Sequence, residues 1–438
     1  MKIVLISTYD LGHQPLGLAS AQAWLKRSGD EVWCLDLAAA RLDEALVRAA
    51  DGVAFFVPMH TATRLALPVI ERVQSINPSA KLAAFGLYAA LNQDLLRAAG
   101  VETVIGGEFE AALVRWASGQ EAGGVSLEKL AFVTPDRSGM APLAEYAHLR
   151  HGGETRTAGY TEASRGCKHL CRHCPVVPVY QGQFRIVPRD VVLADIRQQV
   201  DAGATHITFG DPDFFNGPTH ATRIVEALHT EFPALTYDAT IKIEHLKRHR
   251  ALLPTLRETG CLFVTSAVES LDDCVLERLQ KHHTRRDFLE VAGLMRDAGL
   301  ALQPTFIAFT PWTTLESYRD LLRVLACLDL VDHTAPVQFA LRLLVTQGSL
   351  LLELDDIRAR LGPFDPGSLT YPWKHADSAM DALSARIFSV VAALQKVGRT
   401  RREIFSAVWE CAHGERVPDN FLLPHRAEVP YLDEPWYC

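Results

Sequence analysis

The sequence predicts an α/β protein built from three successive parts. In residues 1–120, short apolar runs alternate with stretches of helical periodicity, and the same alternation returns over residues 160–345 as six strand–helix units. In residues 346–438 the helical pattern dominates. Short strands separated by helices are typical of βαβ units and parallel sheets. We therefore predict a doubly wound, flavodoxin-like domain, then a barrel-like series of βα units, then a helical C-terminal region.

The composition is that of a globular protein and argues against two classes of partner. The 438 residues suffice for about three domains, and the net charge of −8 comes without a long basic run, so broad nucleic-acid binding is not expected. No stretch approaches the roughly 18 apolar residues of a membrane span, and the apolar start of the chain is too short for a signal peptide. Nine cysteines, three of them clustered, do not form the pattern of a disulfide framework. We expect a cytoplasmic, oxygen-sensitive protein with no nucleic-acid and no membrane partner.

The apolar runs of the first part are its predicted strands. They are Ile3–Ser7, Glu31–Leu37, Gly52–Val57, Leu82–Phe85 and Val101–Ile105. In a doubly wound sheet a ligand lies beyond the carboxyl ends of the strands, and glycine in the loops there lets the backbone approach a bulky ligand closely. The candidate ligand-binding residues in these loops are Pro15, Leu16, Gly17, His60, Thr61, Gly86, Gly106 and Gly107. Residues 121–159 have weak periodicity and several glycines and prolines, which predicts a linker.

Three cysteines, Cys167, Cys171 and Cys174, follow the spacing C-x3-C-x2-C. Three thiolates this close can hold three irons of a 4Fe–4S cluster, which usually takes four cysteine ligands. The fourth ligand is then a distant cysteine, or one iron is left open for a small molecule. Alternatively, the three cysteines bind zinc together with His169 or His173. A predicted strand before the loop and a helix after it place the loop at the C-terminal end of a barrel strand, where (β/α) barrels carry their chemistry.

The segment Ser164–Cys174 resembles the cluster loop of radical S-adenosylmethionine (SAM) enzymes, in which SAM chelates the open iron. The resemblance implies a partial (β/α)6 barrel, and six units are too few for a closed eightfold one. The six predicted strands are Tyr160–Ser164, His206–Phe209, Thr236–Lys242, Leu262–Ala267, Ala301–Ala308 and Pro336–Leu341.

The resemblance also implies SAM-binding residues at the strand ends. Gly210 and Asp211 resemble the family segment whose backbone receives the SAM amino group, although an ordinary turn also uses such residues. Glu269 and Ser270 resemble the family's Glu-Ser pair, whose carboxylate accepts hydrogen bonds from ribose hydroxyls. The alternative for Glu269 is a helix cap. Arg342 closes the sixth predicted strand and is expected either to hold a carboxylate of SAM or substrate, or to form a surface salt bridge.

The glycine loops of the first part are similar to the cobalamin-binding domains that precede many radical SAM barrels. The cobalt-ligating motif D-x-H-x-x-G of such domains is missed by one residue on each side of His13, so we do not expect His13 to bind cobalt. His60 is either a residue facing the corrin or an ordinary polar loop residue. The alternative for the whole domain is a flavodoxin-like scaffold without its cofactor.

The chain ends in an aromatic-rich tail with Cys438 as its last residue. This end resembles the radical SAM proteins named for a C-terminal CUAEP or CCAEP motif, and the sequence stops where the second residue of that motif would stand. Either a UGA codon has been read as a stop or the tail has diverged. Cys438 is a candidate redox partner, thiyl site or metal ligand, with an exposed thiol of no role as the alternative.

Together these resemblances imply an enzyme that cleaves SAM at a 4Fe–4S cluster to a 5′-deoxyadenosyl radical. With cobalamin bound, methylation of an unactivated carbon is expected; without it, rearrangement, oxidation or C–S bond formation. A third possibility is a non-catalytic iron–sulfur or zinc protein. The electron is expected from a reductant such as flavodoxin or ferredoxin, and the fold does not decide between a peptide, a lipid and a small metabolite as substrate.

Overall fold

The computed structural model describes residues 1–418 and 429–433. The N-terminal sheet has the strand order β2-β1-β3-β4-β5-β6, and all of its pairings are parallel. Its strands are β1 (Lys2–Ser7), β2 (Glu31–Asp36), β3 (Gly52–Phe56), β4 (Lys81–Phe85), β5 (Thr103–Gly107) and β6 (Gly124–Ser126). Its helices are α1 (Leu16–Arg27), α2 (Glu44–Ala49), α3 (His60–Ile76), α4 (Leu87–Leu91), α5 (Gln93–Ala98) and α6 (Glu110–Ala117).

The two faces of this sheet carry separate apolar cores. Ile3 and Leu5 pack with Leu18 of α1 on one face, whereas Val4 and Ile6 pack with residues of α3 on the other. Successive side chains of a strand point to opposite faces, and both faces here are covered by helices, so the strands read as continuous apolar runs. The order 2-1-3 places the topological switch point between β1 and β3. The predicted doubly wound domain is confirmed.

A second sheet of seven strands has the order β14-β13-β12-β11-β8-β7-β15. Its strands are β7 (His148–His151), β8 (Glu154–Thr161), β11 (His206–Phe209), β12 (Thr236–Thr240), β13 (Cys261–Glu269), β14 (Ala301–Phe306) and β15 (Tyr431–Leu432). Five of these run parallel, whereas β7 is antiparallel to both β8 and β15. The sheet is curled, so that its two edges approach each other: Gln303 of β14 donates a hydrogen bond to the carbonyl of Pro430, beside the opposite edge strand β15. The two short strands β9 (Ser164–Gly166) and β10 (Phe184–Ile186) form a hairpin next to it.

The prediction of a sixth strand at Pro336–Leu341 is wrong. Pro336–Phe339 forms a 3-10 turn, and parallel pairing at this position is limited, among the described residues, to the single bridge between Phe309 and Arg342. The Gln338 side chain explains the difference, because its Oε1 accepts from the backbone N of Phe306 at 2.8 Å and so replaces a strand partner at the edge of β14. The sheet thus remains an open, partial barrel.

Helices surround this barrel and continue into the C-terminal region. Those between the barrel strands are α7 (Val176–Tyr180), α8 (Arg189–Asp201), α9 (Pro218–Glu231), α10 (Ile243–Arg248), α11 (Leu253–Glu258), α12 (Asp273–Arg278), α13 (Arg285–Asp297) and α14 (Leu315–Cys327). The later ones are α15 (Asp355–Arg358), α16 (Ser378–Lys396) and α17 (Arg401–His413). Ile387 of α16 and Phe405 of α17 belong to the same core as the barrel, so the helical region packs on it. Within the described ranges, every helix is too short or too polar to cross a bilayer.

Candidate functional site

The cysteine loop begins at a turn that requires glycine. Gly166 has φ +72°, and a Cβ there would lie 2.5 Å from the Tyr180 ring and 2.6 Å from the carbonyl of Gln183. The loop is then fixed by the Asn216 side chain, whose Nδ2 donates to the carbonyl of Gly166 at 3.1 Å and whose Oδ1 accepts from the backbone N of Lys168 at 3.3 Å. This turn presents the three thiols just beyond β8 and β9.

The three cysteines are free thiols in surroundings that suit an anionic metal cluster. Cys167 and Cys171 are buried, and burial raises the pKa of Cys167 to about 11 and that of Cys174 to about 12. A bound metal reverses this, because a coordinating thiol is deprotonated. Two buried lysines supply positive charge nearby: Lys242 Nζ lies 3.7 Å from Cys171 Sγ, and Lys281 interacts electrostatically with Cys171 and Cys174. The donor set and its charge environment therefore fit an iron–sulfur cluster.

Glu269 stands at the end of β13 in a left-handed conformation, with φ +68°. Such a conformation is strained for a non-glycine residue and recurs at ligand sites. Its carboxylate lies 3.1 Å from His173 Nε2 and 3.3 Å from Lys281 Nζ. Burial by itself would raise the pKa of Glu269, but the two neighbours outweigh it and lower the pKa to about 2. Glu269 is thus a buried anion held against the cysteine loop.

The capping alternative for Glu269 fails. Helix α12 is capped by Asp272, whose side chain accepts from the backbone N of Cys274 at 2.9 Å. Ser270 instead accepts from the backbone N of Asp272 at 3.0 Å through its hydroxyl, so it shapes the turn that follows the strand.

Gly210 and Asp211 lie at the end of β11 and serve different contacts. A Cβ on Gly210 would meet the Tyr160 hydroxyl at 2.0 Å, so the backbone there packs directly on that ring. Both carboxylate oxygens of Asp211 are engaged, one by the Ser164 hydroxyl at 2.6 Å and one by the backbone N of Ala163 at 2.8 Å. Burial raises the pKa of Asp211 to about 7. Asp211 therefore holds the segment that leads into the cysteine loop.

Arg342 belongs to the wall of a large cavity. Its guanidinium donates to Asp381 Oδ1 of α16 at 2.9 Å and to the carbonyl of Trp373 at 3.1 Å, and it lies 3.9 Å from the centre of the Trp373 ring. The pair is one-third exposed, so it faces the cavity. Of the two expectations for Arg342, the structure places it in a salt bridge, at a position where a ligand carboxylate can still compete for it.

Cavities lie between the N-terminal domain and the barrel, and two of them are lined by residues predicted to bind cobalamin. The larger, of about 770 Å³, is within the usual range of ligand sites, and it is mainly apolar. Its lining includes His60, Thr61 and Tyr88 from the N-terminal domain, and His173 and Arg342 from the barrel side. The smaller, of about 190 Å³, is bounded by further residues of the predicted cobalamin set, namely Leu16, Gly17, Gly86 and Gly107. The predicted set is therefore not gathered at one cavity, since His60 and Thr61 line the larger one and Pro15 and Gly106 line neither.

At several glycines of the first domain, the protein's own atoms occupy the space that a side chain would need. A Cβ on Gly17 would lie 2.3 Å from the Phe56 ring, one on Gly106 2.6 Å from Ala90, and one on Gly107 2.1 Å from the carbonyl of Ser126. Gly86, at φ +109°, likewise has a backbone that side chains rarely adopt. Internal packing accounts for these glycines, so they are not in themselves a sign of a ligand. Pro15 precedes α1 as its N-cap residue.

His60 begins α3 and its Nε2 lies 2.6 Å from the carbonyl of Ser368, so that nitrogen donates across to the C-terminal region. His13 stacks on the Tyr160 ring of the barrel, with 4.5 Å between the ring centres.

Cys438, the candidate residue of the C-terminal tail, lies outside the described residues.

A buried cluster of charged side chains joins the N-terminal domain to the barrel. Its central residue, Arg165, stands two residues before Cys167 in the chain. Arg165 Nη1 lies 2.5 Å from Glu110 Oε1 and 3.4 Å from Glu108 Oε2, and its Nε contacts Glu162. The arginine also lies 5.3 Å from the centre of the Phe109 ring. Burial raises the pKa of Glu108 to about 7, against the pull of Arg165. One cation thus holds three carboxylates from two domains.

Sequence reasoning did not foresee several of these contacts. His173 lies 96 residues from Glu269. Glu108 and Glu110 lie 57 and 55 residues from Arg165. Lys281 is only 12 residues from Glu269, but it lies in the segment after α12 and had no motif to mark it.

Comparison with known proteins assigns the central part of the chain. Residues 161–325 match the Radical SAM superfamily, so this part is a radical SAM domain, a domain type that works with a 4Fe–4S cluster and SAM. Two curated relatives are the tRNA-2-methylthio-N(6)-dimethylallyladenosine synthase of Chlorobium luteolum, 28% identical over 42% of this chain, and the ribosomal protein methylthiotransferase RimO of Geobacter sulfurreducens, 26% identical over 37%. The matches cover 43% and 38% of those proteins, so the chain spans under half the length of these relatives.

Two solved structures resemble the fold over most of the chain. The cobalamin-dependent SAM radical enzyme OxsB, with aqua-cobalamin bound, superposes with a TM-score of 0.71 at 14% identity, covering 92% of this chain and 70% of that one. The radical SAM methyltransferase TsrM from Kitasatospora setae, with cobalamin and a 4Fe–4S cluster bound, gives 0.59 at 16% identity, covering 75% and 70%. At these identities the likeness concerns the fold: a doubly wound domain, a partial barrel and a helical C-terminal region.

Proposed function

We propose that the protein is a radical SAM enzyme that methylates an unactivated carbon with the help of cobalamin. The observation that carries the proposal is the position of the cysteine loop. His173 and Pro175, on either side of Cys174, line the 770 Å³ cavity whose opposite wall is formed by the N-terminal domain. A three-thiolate cluster on one side and a cofactor-sized space on the other suit a reaction that brings two cofactors to one substrate. OxsB and TsrM, which share the fold, bind cobalamin.

The chain's own residues have distinct tasks in this proposal. Cys167, Cys171 and Cys174 hold the cluster, and the fourth iron is left for SAM. Glu269 is anionic and desolvated, which favours strong hydrogen bonds from ribose hydroxyls. Gly210 and Ser270 follow the ends of β11 and β13, the two strands that flank β12 in the sheet. When bound, the cofactors supply the 5′-deoxyadenosyl radical and the transferable methyl group.

His60 and Thr61 form the N-terminal wall of the larger cavity and are the residues we propose to face a corrin. His60 is held by Ser368, so the C-terminal region orients it. The mainly apolar lining excludes water, which protects a carbon radical from side reactions. Arg342, paired with Asp381, is the charged group available at the same wall to a polar end of the substrate.

The test uses anaerobically reconstituted protein with SAM, cobalamin and a flavodoxin or dithionite reductant. We expect 5′-deoxyadenosine from radical cleavage, S-adenosylhomocysteine from methyl transfer to cobalamin, and a corrinoid absorbance that co-purifies with the protein. Replacing a cluster cysteine by alanine is expected to abolish 5′-deoxyadenosine formation. The matched control for such a variant is Cys261→Ala, since Cys261 is buried in β13 and lies outside the loop. Formation of 5′-deoxyadenosine without S-adenosylhomocysteine and without bound corrinoid would refute the methylation step and leave the radical step standing.

C–S bond formation is a second candidate, and the observation that favours it is the pair of methylthiotransferase relatives. In that case the product would gain a sulfur atom and cobalamin would not be needed. Incubation with labelled sulfide distinguishes the two, because only the second reaction carries the label into the product.

A further inference from the structure

His169, Asp213 and His245 meet beside the cysteine loop but serve neither the cluster nor SAM in the proposal above. His169 lies within the loop, Asp213 follows β11, and His245 lies in α10, which follows β12. His245 and Asp213 are fully buried, and one-tenth of the His169 side chain is exposed. Three consecutive strand ends of the barrel thus contribute one ligand-type side chain each.

Two donor-atom distances within the group are close to those between the ligands of a metal ion. His169 Nε2 lies 3.3 Å from His245 Nε2 and 3.6 Å from Asp213 Oδ2. Tetrahedral zinc with bonds of about 2.0 to 2.1 Å separates its ligand atoms by about 3.3 Å, so both distances fit. One ligand atom from each residue lies within 4.8 Å of the others.

Two buried polar atoms of the group are in contact with each other but form no hydrogen bond. Asp213 Oδ2 and His245 Nδ1 are 2.6 Å apart, yet they lack the alignment of a hydrogen bond, and neither has a hydrogen-bond partner among residues 1–418 and 429–433. Asp213 Oδ1, by contrast, accepts from the backbone N of Phe215 at 3.2 Å. Buried polar atoms without partners are costly, and coordination of a metal ion is one way in which a protein satisfies them.

We propose that His169, Asp213 and His245 bind one divalent transition-metal ion of the zinc class, separate from the iron–sulfur cluster. Two imidazoles and one carboxylate are a common three-residue ligand set for zinc, with a fourth position for water or another oxygen. Glu244 Oε2 lies 3.8 Å from His169 Nδ1, too far for a hydrogen bond but close enough to favour a nearby cation electrostatically.

The ion has a structural role. It connects the middle of the cysteine loop to the ends of β11 and β12, and so it fixes the loop without using any of the three thiols. His173 is not part of this site, because its Nε2 is turned to Glu269. The site therefore differs from a zinc ion that competes for the cysteines.

The experiment separates this ion from the cluster by removing the cysteines. In the Cys167→Ser, Cys171→Ser, Cys174→Ser triple variant of the full chain, we expect one equivalent of Zn²⁺ or Co²⁺ per chain by native mass spectrometry, with the visible d–d absorption of bound Co²⁺. Adding His245→Ala or Asp213→Asn is expected to remove it. The matched control is His206→Gln, because His206 is equally buried and lies 3.0 Å from Asp238, but within an aligned hydrogen bond.

If the triple variant does not fold, the non-iron metal content per chain is measured instead in cluster-loaded wild type and in cluster-loaded His245→Ala. We expect one non-iron metal ion per chain in the wild type and none in the variant. Equal metal binding with and without His245 or Asp213, or no metal at all in the folded protein, would overturn the proposal. Since no SAM or substrate is present, this result is independent of whether the protein methylates carbon.

Discussion

Replacing Arg165 by methionine tests whether the two domains are held together by one buried cation. The change leaves the carboxylates of Glu108, Glu110 and Glu162 without their common partner, and Glu108 Oε1 and Glu110 Oε2 already lack hydrogen-bond partners among the described residues. Removing one member of a buried ion pair costs about 3 to 5 kcal/mol. At about 2 °C per kcal/mol, the thermal midpoint falls by about 6 to 10 °C.

The loss of stability in Arg165→Met is expected to increase with pH. Burial raises the pKa of Glu108 from 4.5 to about 7, so the folded protein binds a proton that the unfolded chain has released between these values. The stability contributed by this proton is present below about pH 4.5 and is lost as the pH rises through about 7. Without Arg165 the carboxylates are more costly as anions, so the deficit of the variant is expected to be larger at pH 8 than at pH 5.5.

The assay is differential scanning fluorimetry of cluster-loaded protein at the two pH values, with the iron content measured in each sample. Arg197→Met is the matched control, because Arg197 lies 2.6 Å from Glu231 at the surface. Exposed pairs of this kind contribute little to stability, so its midpoint is expected to stay at the wild-type value. Equal midpoints for the two variants at pH 8, or a deficit of Arg165→Met that is the same at both pH values, would refute the reasoning.

Three further changes test the site and the first domain. Changing any one of the three cluster cysteines to alanine is expected to abolish 5′-deoxyadenosine formation and lower the iron content, whereas Cys261→Ala keeps both; activity in a cluster variant would contradict the ligand assignment. Gly17→Ala is expected to cost about 1 to 3 kcal/mol through its clash with Phe56, and Phe56→Leu in the same chain should recover part of the thermal midpoint. Failure of that recovery would mean that Gly17 is needed for something other than packing. Glu269→Gln should weaken SAM binding by about 10-fold or more in equilibrium dialysis, because hydrogen bonds to a charged group contribute about 1.5 to 3 kcal/mol, and Ser270→Ala should weaken it less; an unchanged dissociation constant would exclude the carboxylate from the site.

The strands of both sheets were largely predictable because parallel strands covered on both faces are continuous apolar runs. The same rule failed at Pro336–Leu341, since a buried 3-10 turn is equally apolar. Phe339 there is fully buried, and Gln338, the one polar residue of the turn, supplies the hydrogen bond that a strand would have made. Periodicity does not distinguish these two uses of a buried apolar run.

In the candidate site, too, some residues were predictable from the sequence and others were not. The cysteines were predictable because their spacing is local, and the ends of β11 and β13 because a barrel brings strand ends together. The partners of those residues were not predictable, since Lys281 and His173 reach Glu269 only through the folded arrangement of the loop and α12. Glycines in the loops of the first domain predict a ligand, but the Phe56 ring against Gly17 shows that a neighbouring side chain can impose the same requirement.

The short strand β15 has a consequence for aggregation. An unpaired edge strand is a template on which another chain can add, and β7 would be such an edge. Residues 431 and 432 cover it, and Asp433 continues the coverage by accepting from the backbone N of His148 and from Arg150 Nε at 2.8 Å. Within residues 429–433, the strand that forms this edge is two residues long, and very short edge strands are poor templates for strand addition.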